Sequence, residues 1–487
     1  PEGFKKDIVL RHFEAVEYFC RVFVNGNELF SHRGGYLPFS IDITSQLQDV
    51  NELVVIVQDD TKNEGAATGK QRLNRGGIWY TPCSGIWQSV WLESVPEGYF
   101  EEIRVTPNFD EKSVSFEFVT SLPKGDISII SHGKLVSKTP FRTSQITLPL
   151  PHPHLWSPED PFLYDVEISN AFETVKTYFG MRKVSMGESA YGPCLMLNDK
   201  PYFMNGVLDQ GYYSDGIYTP ASEQAFIDDI LAMKSLGLNT LRKHIKIEDR
   251  RFYYQCDRLG MLVWQDFPSG GKYGMWSMTI MPTIGFKTSN DHKYRAFGRA
   301  NAKNRQQFID EIWETMKLLN HYPSIVMWVP FNEGWGQFDA KPIAEMVKKQ
   351  DPTRLVDHVS GWFDQGGPDI ASHHIYFKKI VLKPDPLNRP IAVTEFGGYS
   401  LKVDGHVFNT DKEFGYRRFT SQEELEAALI KLYETEILDN MKNGLCAAIY
   451  TQVSDVEDEI NGFLTYDREV LKVDPKKIEP ILKKIQF

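Results

Sequence analysis

From about residue 180 to the end of the chain one pattern repeats: an amphipathic helix, a glycine that stops it, and a short apolar strand. In the first copy Phe226, Ile230 and Met233 recur at helical spacing. Thr219-Pro220 is its expected start, and Gly237 its stop before the strand Leu238 to Leu241. The second copy runs through Phe252 and Leu259 to Gly260, then the strand Met261 to Trp264. The third has Phe308, Ile312, Trp313 and Met316 on one face, followed by Ile325 to Val329. A fourth opens on the capping box Ser421-x-x-Glu424 and closes at Gly444 before Leu445 to Tyr450. Repetition over this length predicts parallel βα units, either a (β/α)8 TIM barrel, which takes about 250 residues, or a doubly wound sheet. No glycine-rich phosphate loop follows any strand, which weakens the nucleotide-binding form of the second.

Upstream the period changes to two. Tyr18, Cys20, Val22 and Val24 alternate, Asn25-Gly26 supplies the positive-φ turn of a hairpin, and Leu29-Phe30 begins the return strand. Leu53 to Val57 and Val90 to Leu92 are further strands of what reads as a β-sandwich. From Tyr99 to Phe179 a second β-rich stretch carries the alternation Val114, Phe116, Phe118, the strand Asp126 to Ile130, and the alternation Tyr164, Val166, Ile168. Its size suits an immunoglobulin-like sandwich. The expected fold class is therefore multidomain β followed by α/β.

At 487 residues the chain exceeds one ordinary core, and several domains are expected. A net charge of −11 with no Lys/Arg block argues against a nucleic-acid partner, which needs basic stripes to displace counterions. No run approaches the ~18 apolar residues of a membrane span, so no membrane partner is expected. The five cysteines sit at neither zinc-ligand nor redox-motif spacing and read as packed thiols. The sequence opens at Pro1 without an initiator Met or a signal-peptide pattern and reaches strand-like residues by Ile8. A fragment lacking its natural N-terminus is therefore expected, and localisation is unknown.

In a barrel, polar groups at the C-terminal ends of strands reach the active site. Two stand out. Ile325 to Val329 runs into Pro330-Phe331-Asn332-Glu333-Gly334-Trp335-Gly336, and Ile391 to Thr394 runs into Glu395-Phe396-Gly397-Gly398. Each places one glutamate where an apolar strand emerges. Glycoside cleavage needs such a pair, one carboxylic acid to protonate the leaving oxygen and one carboxylate to attack or stabilise an oxocarbenium-like centre. Asn332 suits a sugar 2-hydroxyl, and Trp335, Trp362 and Tyr376 offer apolar faces for a sugar ring. The bland alternative is two surface glutamates in ion pairs.

At this point the sequence resembles glycoside hydrolase family 2, the β-galactosidase, β-glucuronidase and β-mannosidase family, over nearly its whole length. Gly34 to Thr44, Asn51-Glu52-Leu53 and Ser84 to Glu93 look like its sugar-binding jelly roll. Leu155-Trp156-Ser157-Pro158 and Pro161 to Tyr164 look like its immunoglobulin-like domain. Phe179-Gly180-Met181-Arg182 marks the crossing into the barrel, followed in order by Asn205-Gly206-Val207, Asn239 to Arg242 and Cys256 to Gly260. The resemblance implies an N-terminally truncated jelly roll over 1–96, an immunoglobulin-like sandwich over 97–182 and a catalytic barrel over 183–487. It implies a retaining exo-glycosidase of β-galactosidase type, with Glu333 as acid/base and Glu395 as nucleophile. Arg242 would lie beside the nucleophile and Tyr376 would hydrogen-bond it. His374, Asp209 and Gln210 are further substrate-binding candidates, although the pattern around Asp209-Gln210 differs from that of relatives. The implied partner is a carbohydrate, with a homo-oligomer compatible.

The departures bear on substrate. Phe267 to Gly271 follows the strand ending Gln265-Asp266, where large galactosidases carry a Glu and a His for magnesium, so neither metal nor cofactor is expected. The β-glucuronidases read a carboxylate with Asn-x-Lys, but Phe463 stands two residues after Asn461. This favours a neutral sugar, with β-mannosides, β-glucosides and α-L-arabinopyranosides as alternatives and a β-glucuronide less favoured. A non-catalytic carbohydrate-binding homologue is the other class. Asp455, Glu457, Asp458 and Glu459 read as a solvated acidic loop, with a ring around the pocket as the alternative. Hydroxyl-reading residues are expected in long loops such as 272–300.

Overall fold

A computed structural model describes residues 4–59, 65–274, 276–283, 285 and 289–487; part of the 272–300 loop thus lies outside the described residues. The chain divides into two compact units. One comprises residues 1–59, 84–183 and 318–323, the other 60–83, 184–317 and 324–487.

The first unit is antiparallel β. Two three-stranded sheets, Phe39–Asp42/Ile8–Phe13/Val90–Val95 and Asn27–Arg33/Phe19–Val24/Leu53–Gln58, enclose a core that includes Val9, Phe13, Cys20, Val22 and Ile41. The hairpin forms at the expected turn: Val24 faces Asn27, and Asn25 and Gly26 take φ of 50° and 80°. Two positive-φ residues in a row give the twist a two-residue hairpin needs. A second pair of sheets, three and four strands, spans Glu102–Asn108 to Thr174–Phe179. Val114, Phe116, Ile127, Val166 and Ile168 lie within its core. The alternating residues read from sequence are the ones that face inward.

The second unit is an eight-stranded parallel sheet. Its strands are β1 (Met204–Asp209), β2 (Thr240–Lys243), β3 (Leu262–Asp266), β4 (Ile325–Val329), β5 (Leu355–Val356), β6 (Ala371–Ile375), β7 (Ile391–Gly397) and β8 (Leu445–Thr451). Neighbours run β5-β4-β3-β2-β1-β8-β7-β6. Because β1 pairs with β8, this is the cyclic order of a TIM barrel. Between β5 and β6 side chains bridge in place of a ladder: Val356 N donates to Asp369 Oδ2 and Ser372 Oγ to Asp357 Oδ1, both at 2.8 Å. The barrel form is thereby selected over the doubly wound sheet.

Helix ends follow their sequence signals in two copies. Helix Arg250–Leu259 is capped by Asp249, which accepts from Arg251 N, and is stopped by Gly260 at φ 73°. Helix Gln422–Leu432 is capped by Ser421 Oγ accepting from Glu424 N. The first helix, however, starts at Gln224 and not at Thr219-Pro220. Residues 216–219 instead close a turn, Thr219 N donating to Gly216 O at 3.2 Å, and the buried Lys246 ammonium takes the Tyr218 carbonyl at 2.8 Å. No helix among the described residues is long and apolar enough to cross a membrane.

Candidate active site

Glu333 lies four residues beyond β4. Its φ is +53°, a left-handed conformation costly for a side-chain-bearing residue. Its own N–H donates to Ser360 O at 2.8 Å, and Ser360 N donates back to Phe331 O at 2.8 Å. These bonds hold the turn. The next residue must also be glycine: Gly334 has φ +73°, and a Cβ there would meet the Phe363 ring at 2.2 Å. Glu395 lies inside β7, at a register shift against both neighbours, so that His374 and not His373 pairs with it. Such a bulge re-aims a side chain.

Two distant stretches of sequence thus meet. One carboxylate oxygen each of Glu333 and Glu395 and a ring nitrogen of His374 all lie within 4.8 Å of one another. His374 Nδ1 is 2.8 Å from Glu333 Oε1 and 3.5 Å from Glu395 Oε2, and its Nε2 is 3.0 Å from Ser360 Oγ. Both imidazole nitrogens are thus engaged, and Arg242 supplies positive charge beside Glu395.

Arg242, at the end of β2 and fully buried, organises this floor. Its Nε and Nη2 donate to the two oxygens of Asp266 at 3.0 and 2.9 Å, Nη2 also to Asn332 Oδ1 at 2.9 Å, and Nη1 to Glu395 Oε1 at 3.2 Å. The Asn332 amide nitrogen donates no hydrogen bond among the described residues. The Tyr376 hydroxyl donates to Glu395 Oε2 and lies 3.1 Å from Thr451 Oγ1. Its ring stacks on Tyr416, centroids 3.9 Å apart and planes 4° from parallel. Both Glu395 oxygens thus meet a donor, one the guanidinium and the other the phenol.

The two glutamates therefore sit in unlike surroundings. Burial pushes the Glu333 carboxyl up to about 7, against the charges of Lys70 and Arg242, which pull it down. Burial would lower Arg242, but the carboxylates of Asp266 and Glu395 outweigh it and raise the guanidinium further. Burial also pushes Asp357 up to about 6 and His244 well below the usual imidazole range.

The remaining expected residues are placed less uniformly. Trp362 is 6% exposed; its ring meets His374 edge-on at 5.4 Å and its N–H donates to Glu333 O at 3.1 Å. Trp335, 2% exposed, donates to Gly271 O and packs edge-on against Trp79 at 5.1 Å. Gln210 Nε2 donates to Gln452 Oε1 at 2.9 Å. Asp209 is taken up by the buried Lys243 ammonium, 2.6 Å away, which also pairs with Glu248.

The acidic loop after β8 differs from the solvated segment expected. Asp455, Glu457, Asp458 and Glu459 are all buried, because each meets a partner that sequence spacing does not reveal. Asp455 pairs with Lys472 at 2.6 Å, and Arg75 lies 3.4 Å from Glu457 and 3.3 Å from Asp458. Glu459 accepts from the Tyr80 hydroxyl and from Asn461 Nδ2. Arg75 and Tyr80 belong to residues 65–83, a strap that interrupts the sandwich sequence yet clusters with the barrel. Thr68 N and Gly69 N donate to Ser269 O after β3, and Thr81 N donates to Glu457 after β8. Sequence reasoning missed Asp266, Ser360, Tyr416 and this strap; Asp266, a carboxylate ending an apolar strand opposite Arg242, carried the one usable signal.

Residues 192–460 match the family model "Glycosyl hydrolases family 2, TIM barrel domain", and residues 99–182 match "Glycosyl hydrolases family 2". A β-galactosidase of Thermoanaerobacter pseudethanolicus is 25% identical over 82% of this chain and 52% of its own length. A β-glucuronidase of Rattus norvegicus is 25% identical over 74% of this chain and 58% of its own. The chain thus spans about half the length of the curated relatives it matches. Among solved structures, a β-glucuronidase from an uncultured Clostridium superposes with a TM-score of 0.78 at 17% identity, over 99% of this chain and 86% of that one. A family 2 β-galacturonidase from Eisenbergiella tayi gives 0.71 at 19% identity, over 99% and 88%. With more than half of its residues under the barrel model and the sandwich model matched ahead of it, the chain belongs to glycoside hydrolase family 2.

Proposed function

We propose that this chain carries the catalytic centre of a retaining exo-glycosidase that removes a terminal neutral sugar, a β-galactoside in the first instance. The observation that carries this reading is that one carboxylate oxygen of Glu333 and one of Glu395 lie within 4.8 Å of each other. A retaining pair needs about 5–5.5 Å, whereas inversion needs roughly 6.5–9.5 Å to seat a water between the two. The different partners of the two carboxyl groups support the following roles. Glu395, faced by Arg242 and Tyr376, attacks the anomeric carbon and forms a glycosyl–enzyme bond as the C–O bond to the leaving group breaks. Glu333, protonated through its burial, gives its proton to the departing oxygen. It then takes a proton from the water that attacks the same carbon and frees Glu395. The Asn332 amide nitrogen, which donates to no other group among the described residues, is the proposed donor to the sugar 2-hydroxyl.

The relatives named above act on galactosides, glucuronides and galacturonides by their own descriptions. For this chain Phe463, standing where an Asn-x-Lys motif would place its cation, supports the neutral sugar. The test is a panel of nitrophenyl glycosides (β-galactoside, β-glucuronide, β-mannoside, β-glucoside, α-L-arabinopyranoside), with the first-formed anomer followed by NMR. Retained configuration and loss of turnover in Glu395→Gln are expected. An inverted product, or near-native rates in Glu395→Gln, would sink the mechanism; a rate maximum on the glucuronide would sink the neutral-sugar assignment.

A further inference from the structure

One charged group beside this site has no work assigned to it. Lys70, on the strap, is 7% exposed, and among the described residues its ammonium makes neither a hydrogen bond nor an ion pair. Its nearest ring contact is Trp79, whose centroid is 5.5 Å away. A buried cation without a partner is costly unless a ligand completes it. Its position is fixed by its neighbours in the strap: Thr68 and Gly69 bond to Ser269 O, and Tyr80 N donates to the Lys70 carbonyl at 3.1 Å. The hydroxyl of that same Tyr80 donates to Glu459. The strap thereby brings Lys70 and Glu459 to one place, near enough to Glu333 for the ammonium charge to act on both carboxyl groups. Glu459 has one donor on each oxygen, Tyr80 and Asn461 Nδ2. A carboxylate oxygen accepts two, so each retains a free lone pair.

We propose that Lys70 and Glu459 are specificity-determining residues for the reaction proposed above, binding two neighbouring hydroxyls of the terminal sugar as a donor–acceptor pair. The ammonium donates to one hydroxyl oxygen and the carboxylate accepts the proton of the next. Sugars that differ in an axial or equatorial hydroxyl then differ in whether both bonds can form. A uronate carboxylate would also suit an ammonium, but the adjacent Glu459 repels an anion, which favours uncharged hydroxyls. The inference rests on the reading of Glu333 and Glu395 as the reacting pair.

The experiment measures kcat and KM of the full chain and of Lys70→Met, Lys70→Arg and Glu459→Gln. The substrates are the aryl glycoside that the native protein cleaves best, its monodeoxy analogues, and the aryl β-glucuronide. Lys70→Met should lose about 10- to 100-fold in kcat/KM on the parent sugar. On the one analogue that lacks the hydroxyl it binds, the loss should shrink to about 3-fold or less. Glu459→Gln should single out the analogue deoxygenated at the adjacent carbon, and Lys70→Arg, which keeps charge and donors, should recover part of the loss. An equal loss on every analogue, or no loss on any, overturns the assignment. A loss confined to the glucuronide overturns it too, and gives the ammonium to a carboxylate. If the native chain cleaves no aryl glycoside in a Glu395-dependent way, the parent reading has failed; if it does and Lys70→Met matches it, this inference alone has failed.

Discussion

Replacing Glu333 by Gln separates what the acid does for catalysis from what it costs the fold. Burial raises this carboxyl from 4.5 to about 7, a gap equivalent to about 3 kcal/mol between its two protonation states. Because the folded state holds the proton more tightly, this group's contribution to stability is greatest below about pH 4.5. Between there and pH 7 the unfolded chain ionises first, and up to about 3 kcal/mol is lost. Glutamine cannot ionise. At pH 8 Glu333→Gln should therefore be more stable than the native chain by about 2–3 kcal/mol, and the advantage should vanish at pH 4. Urea midpoints followed by tryptophan fluorescence at the two values measure it. The catalytic counterpart has the same origin: kcat/KM on a substrate with a poor leaving group needs protonated Glu333, so activity should fall through an alkaline limb near 7, with about one-tenth remaining at pH 8. A limb below pH 6, or a Gln variant that gains nothing on going from pH 4 to pH 8, would refute the argument that burial keeps this acid protonated.

Three further outcomes follow from the same geometry. Arg242→Met strands Asp266 and Glu395 without their cation, and should cost about 3–5 kcal/mol in urea unfolding together with nearly all turnover. Tyr376→Phe removes the hydroxyl that donates to Glu395 but keeps the ring on Tyr416; kcat should fall by about 10- to 100-fold with the thermal midpoint little changed. Gly334→Ala places a Cβ against Phe363 at a φ of +73°. It should destabilise by about 1–3 kcal/mol and reduce kcat by misplacing Glu333, with urea titration and steady-state kinetics reading the two effects.

The two glutamates were legible in sequence because the rule that exposes them is local: an apolar strand nears its end, and an acid stands there or in the turn that follows. The sandwich strands were legible for a similar reason, since alternation such as Val114, Phe116, Phe118 reports its own buried face. The start of the first barrel helix was misplaced because the decisive partner of Tyr218 is Lys246, on the far side of that helix. The acidic loop after β8 read as solvated for a larger version of the same reason. Its charges are met by Arg75, Tyr80, Asn409 and Lys472, and a run of like charge says nothing about where its counter-charges come from. Lys70 left no signal at all, since it lies in sequence between two sandwich strands and in space among the barrel's loops.

That strap has a consequence for the order in which the molecule can be made. Tyr80 and Glu459 are 379 positions apart, Arg75 and Asp458 383. Contacts of such separation are late to form, and the ribosome delivers one partner long before the other. A nascent chain that has passed residue 400 already holds both acids and Arg242, and the strap can fasten to Ser269 and Trp335, yet its anchors at Glu457 and Glu459 wait for the final barrel strand and its loop. Because β8 also joins β1 to β7, the same stretch of chain closes the barrel around the reacting pair and anchors the strap that carries Lys70.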